Sequence, residues 1–299
     1  MKFLNFAHDG VTSLGVLLEQ DRVLDLGRAW PTGPGPRSVD ALIVLGEAGM
    51  AIARDLVRDA GRQAGAGLAL DEVSVLAPVQ ATGRNIFNVG RNYRDHIIEG
   101  NLANGRPADA FPTAIEFFTK PRTALVAHGE AIPRHAALTK SLDYEVELAI
   151  VIGKAGRDIP AAQALDHVFG YSILNDVTAR DLQKLHGQWF KGKSLDGTCP
   201  LGPVIVHASA INDPNALSLE LEVDGELRQQ DNTGSMIFDV ATIIAQLSAG
   251  MTLLPGDVIA TGTPKGVGFA MRPPRCLEAG QTVRARIDGI GELVNTVTD

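Results

Sequence analysis

Along most of the chain, apolar and polar positions alternate with the period of two that marks strands, and few windows carry helical spacing. The opening residues, to about 26, read as a small β-meander: KFLNFAH, SLGVLLEQ and RVLDLG. AWPTGPGPRS follows as a Pro/Gly loop, and from 39 to about 64 apolar residues recur at helical spacing through Leu42, Ile43, Met50, Ala53, Leu56 and Val57. Residues 1–70 are read as a small N-terminal α/β accessory domain and 71–299 as the main domain. Beyond residue 72, short strands are predicted over 85–90, 123–127, 144–152, 168–174, 202–207, 217–223, 257–262 and 282–287. Helices are predicted over 92–99, 160–166, 177–185 and 236–248. Strands and helices do not alternate regularly, which predicts a β-rich α+β domain rather than a doubly wound sheet or a TIM barrel.

One predicted strand breaks the apolar rule. In SLDYEVELAIVIG, Glu145 and Glu147 lie two apart and therefore on one face, with Ala149 and Val151 beyond them. Tyr144, Val146, Leu148 and Ile150 occupy the other face, so both faces read as buried. Two carboxylates about 5 Å apart repel by roughly 3 kcal/mol at an effective dielectric near 20, and burial adds to that. Protonation, a basic partner or a cation would relieve it; a solvated face of an edge strand is the plain alternative. Further on, YSILNDVTARDLQ puts Asp176 at the end of a second short buried strand, either as a helix N-cap or as a third carboxylate. Glu145, Glu147 and Asp176 together form an all-oxygen set that suits Mg²⁺ or Mn²⁺, with Ca²⁺ also admissible, rather than Zn²⁺. Three acids around a dication leave about one negative charge, so Arg180, Lys193 and Lys120 are candidate neighbours.

Composition narrows the class. The chain has 299 residues, 45% hydrophobic and 21% charged, with a net charge of −8 and no basic run, which speaks against nucleic acid or an anionic membrane as partner. Cys199 and Cys276 are too few for a disulfide framework. No signal-peptide core or long apolar segment is seen, so a cytoplasmic location is expected.

IFNVGRNYRDHIIEG, residues 86–100, is followed in order by FFTKPRTALVAHGEAIP, LDYEVELAIVIGK, YSILNDVTARDLQ, GKSLDGTCPLGP and GDVIATGTPKGVG. This ordered set, covering about residues 75–298, resembles the fumarylacetoacetate hydrolase superfamily. Within it the chain is most similar to the acylpyruvate hydrolases and to the 2-hydroxyhepta-2,4-diene-1,7-dioate isomerase/decarboxylase members. The resemblance implies a large mixed β-sheet roll, a homodimer, and Mg²⁺ or Mn²⁺ held by Glu145, Glu147 and Asp176. It implies that His96 and Glu99, three apart in NYRDHIIEG, activate water, where the bare spacing reads equally as a surface contact. It makes Lys193 the lysine that neutralises charge on the substrate oxygen. GQWFKGKS around it also matches a P-loop pattern, but the residues before it read as a polar helix rather than a strand. Arg180 and Gln183 match positions that contact substrate or bound water, the alternative being a solvent-facing helix. Lys120, before Pro121, either binds the substrate carboxylate or is exposed; Tyr93 either hydrogen-bonds substrate or packs; Thr263 in TGTPKGVG faces the site. Gly90 and Gly100 bracket a segment read as a lid, and Asn101 to Pro112 and Arg228 to Ser235 are read as loops at the far end of the substrate.

The implied activity is metal-dependent cleavage of a C–C bond in a small β-diketo acid of the acylpyruvate type, with the ion chelating an α-keto acid and stabilising its enolate. Isomerisation or decarboxylation of oxo-dienoic acids in the breakdown of aromatic compounds, or decarboxylation of oxaloacetate, is the alternative. A non-catalytic oxo-acid binder is the reading outside enzymology.

Overall fold

The structure, a computed structural model, describes residues 1–63, 65–79 and 83–299. Its spine is the strand Val146–Ile152, whose seven residues are all buried. Antiparallel partners flank it on both sides: Val168–Asn175, with Val146 opposite Asn175, and Val258–Ala260, with Ile150 opposite Ile259. It is therefore an interior strand, and the solvated-edge reading of its acids is excluded. From there the sheet continues through Ile86–Gly90 to Glu116–Lys120 in one direction. In the other it runs through Cys199–His207, Lys2–His8, Val11–Leu17 and Arg22–Asp25 to Leu68–Ala69, making twelve strands with two short side branches. The meander read in the first 26 residues is present, and it extends the main sheet directly, since Lys2 and Phe3 pair with Val206 and Ile205.

A second, five-stranded sheet runs Glu226–Asn232, Ser218–Val223, Thr282–Ile287, Gly291–Thr298 and Ala131–Pro133. Both sheets are mixed: Ile86–Gly90 pairs in parallel with Val258–Ala260 and Ala131–Pro133 in parallel with Gly291–Thr298, the rest mostly antiparallel. The alternation along the spine sorts its side chains. Val146, Leu148, Ile150 and Ile152 enter a core shared with Leu219, Leu221, Val283 and Leu293 of the second sheet. Ala149 and Val151 enter a core capped by Val39, Leu42, Ile43 and Met50 of the helix Val39–Ala60. Glu147 shares the parity of Ala149 and Val151, so the acids emerge at the end of that second face.

Some elements differ from expectation. The helix starts at Val39 as read, with Ser38 Oγ accepting from Ala41 N at 3.2 Å, but Gly46 breaks it at φ +57° and it stops at Ala60; the expected end near 64 lies outside the described residues. The strand predicted over 123–127 is a 3₁₀ turn, Arg122–Ala124, and a two-residue strand. The helix predicted over 160–166 is a 3₁₀ turn, Ala161–His167, and the one over 236–248 begins only at Val240, because Asn92 ties down the main-chain N–H groups of Ile237 and Phe238. Residues 228–235, read as a substrate loop, are mostly the strand Glu226–Asn232: Val223 pairs with Glu226 across Asp224-Gly225, whose φ of +52° and +77° make the tight turn favoured between antiparallel strands. No helix among the described residues is long and apolar enough to cross a membrane.

Candidate active site

Strand register builds the acidic cluster. Val146 pairs with Asn175, so the residues just outside that pair, Glu145 and Asp176, fall opposite each other, and Asp176 N donates to Glu145 O at 2.8 Å. Glu147, one pleat further, joins them: carboxylate oxygens of Glu145, Glu147 and Asp176 all lie within 4.8 Å of one another, in residues no more than 4% exposed. Asp176 is not an N-cap, since Ala179 precedes the helix Arg180–Leu185.

Three cations surround the triad. Lys193 Nζ donates to Glu145 Oε2 at 2.6 Å and to Asp176 Oδ2 at 2.8 Å. Arg180 Nη2 stands 2.7 Å from Glu145 Oε1 while its Nε donates to Asp143 Oδ2 at 2.9 Å, and its guanidinium lies over the Phe269 ring. Lys120 Nζ stands 2.8 Å from Asp176 Oδ1 and donates to the carbonyls of Val177 and Lys193. Burial pushes the Glu145 carboxyl up, but Arg180 and then Lys193 outweigh it and bring it down to about 2. Glu147 goes the other way. Burial first, then the charges of Asp176 and Glu145, hold its carboxyl well above the usual range. Lys193 loses stability by burial, yet Asp176 and Glu145 keep its ammonium above the ordinary lysine value. Glu145 is thus stabilised as an anion, Asp176 is paired with Lys120 and Lys193, and Glu147 is left with one main-chain donor, Gly262 N at 2.8 Å, against two neighbouring carboxylates. A buried all-oxygen set with one uncompensated carboxylate fits a hard divalent cation.

Beside the triad, the helix Arg94–Ala103 brings His96 Nδ1 to 3.0 Å from Glu99 Oε1. Gly266 N donates to both Glu99 oxygens at 3.0 Å. Glu145, Glu147 and His96 open into one cavity of about 630 Å³, which Lys193, Arg180, Gln183 and Thr263 also line, with Asp176 buried just behind the two glutamates. Thr263 Oγ1 donates to Val146 O at 2.9 Å and accepts from Gln229 Nε2 at 2.8 Å.

Two expected substrate contacts lie outside the cavity lining. Lys120 is neither exposed nor in the cavity: it is 0% exposed, and its ammonium is committed to Asp176 and two carbonyls. Tyr93, also 0% exposed, packs in the core behind the cavity, and its hydroxyl has no hydrogen-bond partner among the described residues. Burial, with Glu147 nearby, raises that phenol, which keeps it neutral. GQWFKGKS is no phosphate loop: Phe190–Lys193 is one helical turn following another short helix, and its lysine points at carboxylates. Gly90, read as one end of a lid segment, lets the Trp189 ring lie directly on the backbone; a Cβ there would meet Trp189 Cζ3 at 2.1 Å.

Sequence reading missed the donors that orient these acids. The turn after Val258–Ala260 supplies Gly262 N to Glu147, Gly266 N to Glu99, and Gly268 N and Phe269 N to Asp143 at 2.8 and 3.1 Å. Asp143 in turn holds Arg180. Its signal was visible: Asp143, Glu145 and Glu147 share one parity in LDYEVE.

Residues 85–298 match the family described as fumarylacetoacetate (FAA) hydrolase C-terminal. The chain is 44% identical over 292 residues to the oxaloacetate tautomerase YisK of Bacillus subtilis, covering 95% of each. A solved structure described as a fumarylacetoacetate hydrolase from Exiguobacterium antarcticum superposes with a TM-score of 0.81 at 44% identity, covering 100% of this chain and 99% of that one. A maleylpyruvate hydrolase from Sphingobium, solved with manganese(II) and pyruvate, superposes with a TM-score of 0.77 at 32% identity over 100% and 99% of the two chains. The chain belongs to the fumarylacetoacetate hydrolase family, an enzyme family that includes hydrolases and isomerases.

Proposed function

We propose that the protein is a divalent-metal-dependent enzyme that moves a proton on a small 2-oxo acid, with keto–enol tautomerisation of oxaloacetate as its reaction. The observation that carries this reading is the meeting, at one cavity, of two carboxylates of a buried triad, a lysine ammonium and a histidine held by a carboxylate. Glu145, Glu147 and Asp176 would hold Mg²⁺ or Mn²⁺, which supplies Lewis acidity to the substrate's oxygens. The tautomerase relative is named for oxaloacetate, and the maleylpyruvate hydrolase holds manganese(II) with pyruvate.

The protein's own groups then divide the work. An ionised Glu99 only accepts hydrogen bonds, so His96 keeps its proton on Nδ1, 3.0 Å away, and presents Nε2 as the base. Nε2 takes the proton from the carbon next to the keto group and delivers it to the enolate oxygen, and carries it from that oxygen back to carbon in the reverse direction. Lys193 faces the oxygen on which negative charge grows. Arg180 and Gln183, bonded to each other at 3.3 Å, present one wall to the substrate.

Hydrolytic C–C cleavage of an acylpyruvate is the second reading, because the same base can deprotonate water and two solved relatives carry hydrolase names. Tautomerisation is preferred because it needs only the groups already in the cavity. The test is the rate at which enol-oxaloacetate absorbance decays with Mn²⁺-loaded protein, run beside acetylpyruvate and fumarylpyruvate. Acceleration of oxaloacetate with the other two acids unconsumed is expected. Steady consumption of an acylpyruvate with no effect on oxaloacetate would replace the first reading by the second.

A further inference from the structure

The inner end of the cavity is balanced for one carboxylate. Asp143 and Arg180 neutralise each other, and Glu99, which does not line the cavity, is held separately by Gly266 N and His96. The triad's three negative charges, set against a dication, Lys193 and Lys120, leave one positive charge, which a substrate's first carboxylate cancels. Nothing inside can then compensate a second carboxylate, and burying one unpaired is prohibitive.

The outer end is different. Arg91, on the wall, is already spent on Glu116, through Nε at 2.6 Å and Nη2 at 2.7 Å. Arg106 and Lys184 line the same cavity, and both are exposed. Arg106 follows the helix that carries His96, and its main-chain N–H folds back to Asn101 O at 2.8 Å. Lys184 rides on the helix that begins with Arg180. Among the described residues, neither side chain has a hydrogen bond or an ion pair. The one acid on that rim, Asp181, accepts instead from the Thr139 hydroxyl and from the N–H groups of Lys140 and Leu182. Two uncommitted cations therefore line a cavity whose inner acids, with a dication counted, are all answered.

We propose that Arg106 and Lys184 receive the distal carboxylate of the substrate and so select dicarboxylic over monocarboxylic oxo acids. This rests on the reading that the inner end takes a 2-oxo or 2-hydroxy acid. Malate and 2-hydroxybutanoate test it by binding alone, since they share a chain length and cannot enolise; one ends in a carboxylate, the other in a methyl group. Calorimetric titration of Mn²⁺-loaded protein is expected to give roughly tenfold tighter binding of malate, the scale of a charge-assisted contact in partial contact with solvent. The preference should shrink as salt rises. In the Arg106→Gln/Lys184→Gln double variant the malate preference should fall to within about twofold, and in Arg106→Lys it should largely return. The ratio of kcat/KM for oxaloacetate over 2-oxobutanoate, followed by proton exchange at the carbon next to the keto group, should fall in parallel. Equal binding of the two hydroxy acids by the wild type, or an undiminished preference in the double variant, overturns the inference. A charge-dependent malate preference in a protein that turns over neither oxo acid would leave the inference standing and remove the proposed reaction.

Discussion

Glu147 is where stability and chemistry conflict. Its side chain is 1% exposed, two neighbouring carboxylates oppose its charge, and one main-chain N–H supports it. Gln keeps the shape and can still accept from Gly262, while removing the repulsion. Without metal, Glu147→Gln is therefore expected to be more stable than the wild type by about 1–3 kcal/mol, the size of two like charges at close range. Its affinity for Mn²⁺ should fall at least about a hundredfold. Urea unfolding with and without Mn²⁺ measures both, and a metal-free variant less stable than the wild type would contradict the account. Lys120 has the opposite character. Removing it strands Asp176 Oδ1 and two buried carbonyls, so Lys120→Met should cost about 3–5 kcal/mol of stability. A loss below about 1 kcal/mol would mean that Asp176 finds another partner. The triad was legible at this scale because period-two alternation exposes two acids in an apolar run. The commitment of Lys120 was not, since what decides it is the distance from Lys120 to Asp176 and to two carbonyls in folded space.

The turn between Thr261 and Phe269 orients more of the site than any helix does. It donates main-chain N–H groups to Glu147, to Glu99 and to Asp143. Gly266 is the strictest position: φ is +105°, and a Cβ would stand 2.0 Å from Arg228 O. Gly266→Ala must move the turn or Arg228, and either motion loosens Glu99 and with it the tautomer of His96. Turnover is expected to drop at least about tenfold, within the range a general base contributes, as His96 loses its fixed carboxylate. Mn²⁺ affinity should change far less, because Gly262 holds Glu147 separately. A variant that loses metal and turnover together would show that the turn acts as one rigid piece. In the sequence this element showed only Thr263, because side chains carry motif signals and backbone donors do not. The Asp224-Gly225 turn is the contrary case. Its residue pair is a strong hairpin signal, yet the polar strand after it, ELRQQDN, hides the signal by lacking apolar alternation. That strand forms because Gln229 reaches into the core, donating to Thr263 and Pro264 and accepting from Val146 N.

Across the whole molecule, the sheet carries the first meander, the triad and the helix with His96 on one hydrogen-bonded frame, so pH acts on all of them through shared stability. Two histidines that do not line the cavity accept main-chain hydrogen bonds, one in each sheet. Val294 N donates to His128 Nδ1 at 3.2 Å, tying the turn at 128 to the strand Gly291–Thr298. Ser209 N donates to His207 Nδ1 at 3.2 Å at the end of Cys199–His207, where the ring stands edge-on to Phe169. An imidazole that accepts at Nδ1 cannot be protonated there, and burial pushes both rings below the ordinary histidine value of 6.5. Because the folded value is the lower one, this stability is complete above about pH 6.5 and is lost as pH falls through the depressed folded values, where the unfolded chain binds protons first. Raised carboxyls such as Glu147 and Asp257 work with the opposite sign, releasing stability as pH rises. A single wild-type curve would mix the two, whereas a difference between proteins separates them. The urea midpoint of the wild type should therefore fall further between pH 7.5 and pH 5.5 than that of the His128→Gln/His207→Gln double variant, whose carboxyls are unchanged. Parallel curves would show that protonation of these two rings does not couple to unfolding.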